Sequence, residues 1–238
     1  MKNTSAPKPT FAEKVIRFNR SLKLDIDLPE GIRVMNPFKE NPSALKASSA
    51  FYRKYYHDHA TRKLILAINP GRFGAGVTGV PFTDTKRLED KCGITINESS
   101  THEPSSVFVY AMIEAWGGVE DFYRHFYINS ISPLGFVKTG KQGREVNFNY
   151  YDSKELLERI MPFAVQSIKS HISMGCHTDV CFCMGTGKNL KILQQINREH
   201  SLFKTIIPLE HPRYIIQYKS AQMDYYVEKY LKTLRMFG

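Results

Sequence analysis

"RKLILAINPGRFGAGVTGVPF", residues 62–82, joins a short apolar run to a turn that contains four glycines and two prolines. The run at 62–69 has no polar interruption after its basic start and ends at a Pro-Gly pair, a pattern typical of a strand buried in a parallel sheet. Further short apolar runs occur at 122–136, 179–187 and 203–214. Apolar runs that alternate with helical patterns predict an α/β protein with a mainly parallel sheet.

Helical periodicity fills most of the segments between these runs. The predicted helices cover residues 11–22, 43–59, 105–118, 153–172, 188–200 and about 219–235. Two stretches lack such a pattern: 28–42, broken by prolines and a glycine, is expected to be an irregular connection, and 135–151 a basic, glycine-containing loop. We expect a single domain over 1–238, with 1–60 as a helical extension whose role the sequence does not assign.

The charge balance favours a polyanionic partner. The chain of 238 residues carries 33 Lys+Arg against 23 Asp+Glu, a formal net charge of +10. Nucleic acid is the foremost partner for such a chain, and an anionic membrane surface is the other. No stretch has the roughly 20 apolar residues of a transmembrane helix, and the N-terminus lacks the apolar core of a signal peptide. We therefore expect a protein of the cytoplasm or nucleoid.

Three segments with unusual chemistry follow predicted strands. They are Asn69-Pro70-Gly71, the stretch 129–133, and His211-Pro212. In open parallel sheets, ligands bind beyond the carboxyl ends of the strands. We therefore expect the three segments to share one pocket.

Two phosphate-binding motifs are matched only in part. The letters G-x-G-x-x-G occur at 74–79, but Val80-Pro81-Phe82 follows where a dinucleotide-binding motif would open a helix. The segment "CMGTGKN" at 183–189 lacks the first glycine and the final Ser or Thr of a phosphate loop. A nucleotide-binding Rossmann-type enzyme is therefore a less favoured hypothesis.

The stretch 69–82, N-P-G-x-F-G-x-x-x-T-G-V-P-F, resembles the first motif of the uracil-DNA glycosylase superfamily, and in particular of the single-strand-selective monofunctional uracil-DNA glycosylases. "EHPR" at 210–213 is similar to the start of the second motif, and "FYINSISPL" at 126–134 to the middle segment. The resemblance spans roughly residues 60–235. It implies a three-layer αβα sandwich with about four central strands, and a monomer that removes uracil from DNA in base excision repair without a metal or cofactor.

The resemblance also assigns roles to individual residues. It implies that Asn69 positions and polarises the attacking water, and that His211 donates a hydrogen bond to uracil O2. Phe82 would stack on the extruded base, Gly71 would border the base edge through its backbone, and Ile68 would complete the base-binding set. Preorganised donors suit this reaction, because negative charge develops on the departing base.

The base-reading residue stays open between two neighbours. The family has an asparagine three residues before its Pro-Leu pair, since a carboxamide pairs with both uracil N3 and O4. Ungapped counting places Ser130 at that position and Asn129 one residue early. A one-residue offset along a strand turns a side chain to the opposite face. If Ser130 lines the pocket, uracil is read less strictly, and hypoxanthine or xanthine become plausible substrates.

The enzyme must also hold DNA and extrude the base, which costs a few kcal/mol of stacking and pairing. In the family a wedge loop follows the second motif, and here that loop would be 212–220. Arg72 stands where the family usually has proline, and it is expected either to contact phosphate or to reshape the mouth of the pocket. The residues expected to contact DNA are Arg72, Arg213, Tyr214, Ile215 and Lys219.

Two further hypotheses concern other classes of function. A DNA-binding module of the same fold that has lost catalysis is opposed by the retention of both Asn69 and His211. An iron–sulfur cluster on the four cysteines is disfavoured, because Cys181 and Cys183 fall inside an apolar strand, where cysteines are ordinary core residues. No lysine nucleophile occurs in the motifs, so we expect hydrolysis without strand cleavage.

Overall fold

The structure is a computed structural model that describes residues 7–140 and 143–237. Its strands are β1 (Ile32–Met35), β2 (Arg62–Ala67), β3 (Phe126–Ser130), β4 (Gly135–Thr139), β5 (Glu145–Phe148), β6 (Cys176–Met184) and β7 (Thr205–Leu209). Its helices are α1 (Phe11–Ser21), α2 (Pro37–Glu40), α3 (Pro42–Tyr55), α4 (Ala75–Thr78), α5 (Thr85–Asp90), α6 (Pro104–Trp116), α7 (Val119–His125), α8 (Lys154–Met174), α9 (Lys188–His200), α10 (Pro212–Tyr218) and α11 (Met223–Arg235).

The central sheet has four parallel strands in the order β3-β2-β6-β7. The central strand β2 is buried over almost its whole length, which explains its unbroken apolar sequence. Helices flank the sheet, so the predicted α/β fold with about four mainly parallel strands is confirmed. Cys181 and Cys183 lie on β6 as buried free thiols.

A second sheet corrects two predictions. Strands β1, β4 and β5 form an antiparallel sheet in that order, where the sequence predicted an irregular connection at 28–42 and a loop at 135–151. These strands are only four or five residues long and partly exposed, so they lack a clear apolar period. The side chain of Arg33 bridges two of them, with its Nε 2.9 Å from Glu145 Oε1.

The first helix belongs to the main hydrophobic core. Phe11 and Val15 are buried in the same cluster as the central strands. The ring of Phe11 packs 5.2 Å from that of Tyr127 on β3, measured between centroids. Lys14 Nζ donates to Met174 O at 2.9 Å and ties α1 to the end of α8. The segment predicted as a helical extension is therefore integrated into the fold over its described part.

One buried charge has a hydrogen-bond partner at each of its nitrogens. The side chain of Arg62, at the start of β2, has no exposed surface. Its guanidinium donates to both carboxylate oxygens of Asp58 and to the backbone oxygens of Ala60 and Tyr123. Such pairing is what makes a buried charge tolerable.

Within the described residues, no helix is long and apolar enough to cross a membrane.

Candidate active site

A cavity of about 540 Å³ opens beyond the carboxyl ends of the central strands. As the sequence predicted, it brings together Asn69 after β2, Ser130 at the end of β3 and His211 after β7. The remaining lining residues are Ala67, Ile68, Pro70, Gly71, Phe73, Ala75, Pro81, Phe82, Glu103, Pro104, Ser105, Asn147, Asn149, Tyr151, Arg213, Tyr214, Gln217 and Tyr218. Its size is that of a small-molecule pocket.

The carboxamide of Asn69 is held mainly by the end of β5 and the turn that follows it. Its Oδ1 accepts a hydrogen bond from the backbone N–H of Tyr150 at 3.0 Å. Its Nδ2 donates to the carbonyl of Phe148 at the end of β5, and to that of Pro70, both at 3.3 Å. A carbonyl oxygen has two lone pairs, so Oδ1 keeps one for a further donor such as water. The amide is thus fixed in orientation and still able to accept.

His211 is the N-cap of α10. Its Nδ1 accepts a hydrogen bond from the backbone N–H of Arg213 at 3.1 Å. An accepting Nδ1 requires the proton of the neutral ring to reside on Nε2. Burial, helped by the positive charge of Arg213, lowers the pKa of His211 to about 4. At neutral pH this residue is therefore an uncharged imidazole whose N–H donor is Nε2.

Phe82 occupies a conformation that is uncommon for a residue with a side chain. Its φ of 51° lies in the left-handed region, which costs of order 1–3 kcal/mol and is concentrated at functional sites. The side chain of Thr78 holds the turn, because its Oγ1 donates to Thr83 O at 2.6 Å and accepts from Val80 N at 3.1 Å. The buried ring of Phe82 lies 5.9 Å from the ring of His211. An aromatic floor therefore sits beside the imidazole.

The structure places Ser130 on the cavity wall and Asn129 elsewhere. Strands β2 and β3 pair without a register shift through both residues, so no bulge returns Asn129 to the cavity face. Asn129 Nδ2 instead donates to the hydroxyl of Tyr127 at 2.7 Å. Its side chain is buried away from the main cavity. Of the two residues that the sequence left open, Ser130 is the one available to a ligand.

Glu103 is a cavity residue that the sequence analysis missed. It is the N-cap of α6, and its carboxylate makes no capping bond. Its Oε2 is buried and has no hydrogen-bond partner among the described residues. Burial, with a smaller contribution from the charge of Asp84, raises the pKa of Glu103 to about 7, against an opposing effect of Arg213. An acidic residue in a polar connection gives no sequence signal of this kind.

The second sheet supplies another part of the wall that the sequence analysis missed. Asn147 on β5, with Asn149 and Tyr151 just after it, lines the cavity. Asn147 Oδ1 accepts from the backbone N–H of Arg72 at 3.1 Å, which ties the strand to the glycine-rich turn. Because the sequence predicted a loop in this segment, it gave no indication that these polar side chains line the cavity.

A family model described as the uracil DNA glycosylase superfamily matches residues 53–235. The chain belongs to this superfamily. It is also similar to a solved structure, that of wild-type SMUG2 from Pedobacter heparinus, at 50% sequence identity and a TM-score of 0.94. That similarity covers 96% of this chain and 98% of the other. No curated protein matched. The chain is therefore a DNA glycosylase, a hydrolase of DNA repair, and the resemblance found in its sequence is confirmed.

The segment after the second motif of this glycosylase differs from its prediction. Residues 212–218 form helix α10 rather than part of a wedge loop. Ile215 has no exposed surface, because it packs into the hydrophobic core. The prediction that Ile215 contacts DNA is therefore wrong for this conformation. Arg213 and Tyr214 are exposed at the cavity and are joined there by Tyr218, which is 65% exposed.

Two other predicted DNA contacts lie outside the cavity lining. Lys219 is the C-cap that follows the last residue of α10, and it is only partly exposed. The guanidinium of Arg72 lies 4.5 Å from the ring centroid of Phe73, a cation–π contact. Phe73 lines the cavity and is 47% exposed. An aromatic side chain thus stands at the cavity on the glycine-rich turn as well as on α10.

Proposed function

We propose that this glycosylase hydrolyses the N-glycosidic bond of uracil in DNA without cleaving the strand, and that it also accepts the deaminated purines hypoxanthine and xanthine. One observation carries the proposal: Asn69 and His211 line the same cavity, and Phe82 lines it beside His211. The presence of Ser130 in the lining of the same cavity supports the wider range of bases.

The proposed mechanism uses a water and a preorganised donor. As the bond between uracil N1 and the sugar C1′ breaks, negative charge collects on the base, including O2. The Nε2–H of His211 stabilises that charge with a hydrogen bond. A neutral donor is sufficient, because uracil leaves as an anion and does not take up a proton in this step. The free lone pair of Asn69 Oδ1 accepts a hydrogen bond from the attacking water and so orients the water oxygen toward C1′.

Release of the base by water alone is supported by the lining of the cavity. No lysine is among the described residues that form the wall. A glycosylase that also cleaves the strand would use an amine nucleophile to form a Schiff base with the sugar. The side chains at hand favour hydrolysis that ends at an abasic site.

DNA binding in this proposal rests on charge and on exposed aromatic rings. The net charge of +10 supplies the salt-dependent attraction to phosphates. Arg213 is exposed at the cavity, while Tyr214 and Tyr218 offer rings on which neighbouring bases can stack. We propose that the protein acts on DNA as a monomer, in the cytoplasm and in association with the nucleoid.

An excision assay tests the proposed function. End-labelled oligonucleotides that carry uracil, hypoxanthine or xanthine, single-stranded and double-stranded, are incubated with the protein and then cleaved with alkali at abasic sites. We expect cleavage at uracil that depends on alkali treatment. Salt-sensitive DNA binding with no excision of any base would overturn the proposal and leave a binding module.

Ser130→Asn is expected to raise the preference for uracil over hypoxanthine by about fivefold, because one added hydrogen bond is worth about 1 kcal/mol. A carboxamide at this position can pair with both N3–H and O4 of uracil. The measurement is the ratio of single-turnover excision rates for the two bases. Ser130→Ala is the control that removes the hydroxyl without adding an amide. An unchanged ratio in Ser130→Asn would show that Ser130 does not face the base.

A further inference from the structure

Glu103 has a fixed backbone and an unused side chain. Its N–H donates to Asp84 Oδ2 at 2.8 Å, which sets its position at the start of α6. Its buried Oε2 has no partner among the described residues. A buried polar group without a partner lowers stability and calls for a functional explanation. The mechanism for uracil given above makes no use of this carboxyl.

The glycine-rich turn is shaped around the same carboxyl. A Cβ at Gly74 would lie 2.1 Å from Glu103 Oε2 and 2.6 Å from its Cδ. Any side chain at position 74 would therefore displace the carboxyl from the turn. Glu103 Oε1 lies 3.4 Å from the position that a Cβ would take at Gly71, the cavity residue two positions after Asn69. The carboxyl thus forms part of the wall beside the first motif.

Among the described lining residues, Glu103 is the one carboxylic acid. Burial and the neighbouring Asp84 raise its pKa to about 7, so a proton is available from it at neutral pH. Arg213 opposes this shift. Asp84 is itself paired with Arg87, 3.1 Å from its Oδ2, and His102 Nδ1 lies 3.9 Å from the same oxygen. The imidazole of His211, with its pKa lowered to about 4, holds no transferable proton at this pH.

Uracil and a deaminated purine leave the sugar differently. Uracil has only C–H groups at C5 and C6, so its departure as an anion depends on donors to its oxygens. A purine carries an acceptor, N7, on the ring that is bonded to the sugar, and a proton on N7 lets the base leave neutral. We propose that Glu103 is the proton donor to N7 of hypoxanthine or xanthine as the bond between N9 and C1′ breaks.

The proposed step is balanced as follows. The carboxyl proton of Glu103 forms an N–H bond at N7, and the electron pair of the C1′–N9 bond passes to the base. Water adds its oxygen to C1′ and loses a proton to solvent, and the carboxylate regains a proton from solvent. The products are an abasic site and the neutral base. This inference rests on the proposed function, since it assigns a role within the same cavity.

Glu103→Gln tests the role, because the amide keeps the shape but cannot transfer a proton. We expect this variant to lower the single-turnover rate for hypoxanthine by on the order of 100-fold, and by at least about tenfold more than the rate for uracil. In the wild type, hypoxanthine excision should decline as pH rises above about 7, while the acid form of Glu103 is lost. The variant should lose this decline.

Gly74→Ala is the second variant, because its Cβ would push the carboxyl aside while Glu103 stays in the chain. It should show the same selective loss of hypoxanthine excision, and a circular dichroism melt checks that both variants fold. Equal losses for uracil and hypoxanthine, or an unchanged pH profile in Glu103→Gln, would overturn the proton-donor role. Uracil excision by a wild type that leaves both purines intact would overturn this inference and the wider range of bases, but would leave the proposed hydrolysis of uracil standing. Absence of any excision would overturn the proposed function as a whole.

Discussion

His211→Ala is expected to lower the rate of uracil excision by about 10²- to 10³-fold, the usual cost of removing one donor to a developing anion. The imidazole is neutral, and its Nδ1 is occupied by the N–H of Arg213, so Nε2–H is the donor that is lost. Single-turnover kinetics on a uracil-containing oligonucleotide measure the chemical step directly. Binding of undamaged DNA should change little.

A matched control separates this effect from the stability of helix α10. His211 caps α10, and loss of an N-cap commonly costs about 1 kcal/mol. His211→Ser restores a cap but places no donor in the cavity. We expect the serine variant to melt close to the wild type and to be as slow as the alanine variant. Recovery of the wild-type rate in His211→Ser would show that the imidazole acts only through the helix.

Asn69→Ala is expected to slow excision by on the order of 100-fold or more, because the attacking water loses the acceptor that orients it. The substitution also leaves the N–H of Tyr150 without its partner at 3.0 Å. Single-turnover rates for uracil, with DNA affinity measured in parallel, separate a slower chemical step from weaker binding. We expect the loss to fall on the rate.

Asn69→Asp is the matched control for this prediction. A carboxylate retains the acceptor for both Tyr150 and water but cannot donate to the carbonyl of Phe148. It should therefore keep more activity than the alanine variant, although its charge disfavours an anionic leaving base. A rate for Asn69→Ala within about threefold of the wild type would contradict a water-orienting role, since misplacement of a reacting group costs far more.

The sequence predicted the central sheet and the convergence of three strand ends, because both depend on local patterns. Apolar runs such as 62–69 mark buried parallel strands, and the topology of parallel strands brings their carboxyl ends together. Asn69, Phe82 and His211 follow from motifs within this frame. The resemblance of those motifs to the superfamily then supplied chemistry that periodicity cannot provide.

The remaining features depend on contacts between distant segments. The hairpin of β4 and β5 is short and half exposed, so its strands are recognisable only once they pair with each other and with β1. The side of β3 to which Ser130 points could be assigned only from the register between β2 and β3. The burial of Ile215 could be assigned only once α10 was known to pack into the hydrophobic core. The burial of the Glu103 carboxyl depends in the same way on the glycine-rich turn that lies against it.

The hydrogen bonds from the hairpin region to Asn69 affect how this motif can be transferred to another protein and how the enzyme can evolve. The amide is oriented by Phe148, at the end of the second sheet, and by Tyr150 in the turn after it, and both follow Asn69 by about 80 positions. A segment 69–82 grafted onto a foreign scaffold would keep the motif residues, but the Asn69 amide would lose the contacts that orient it. Conversely, a lineage could adjust its turnover by substitutions in the hairpin while every motif residue stayed the same.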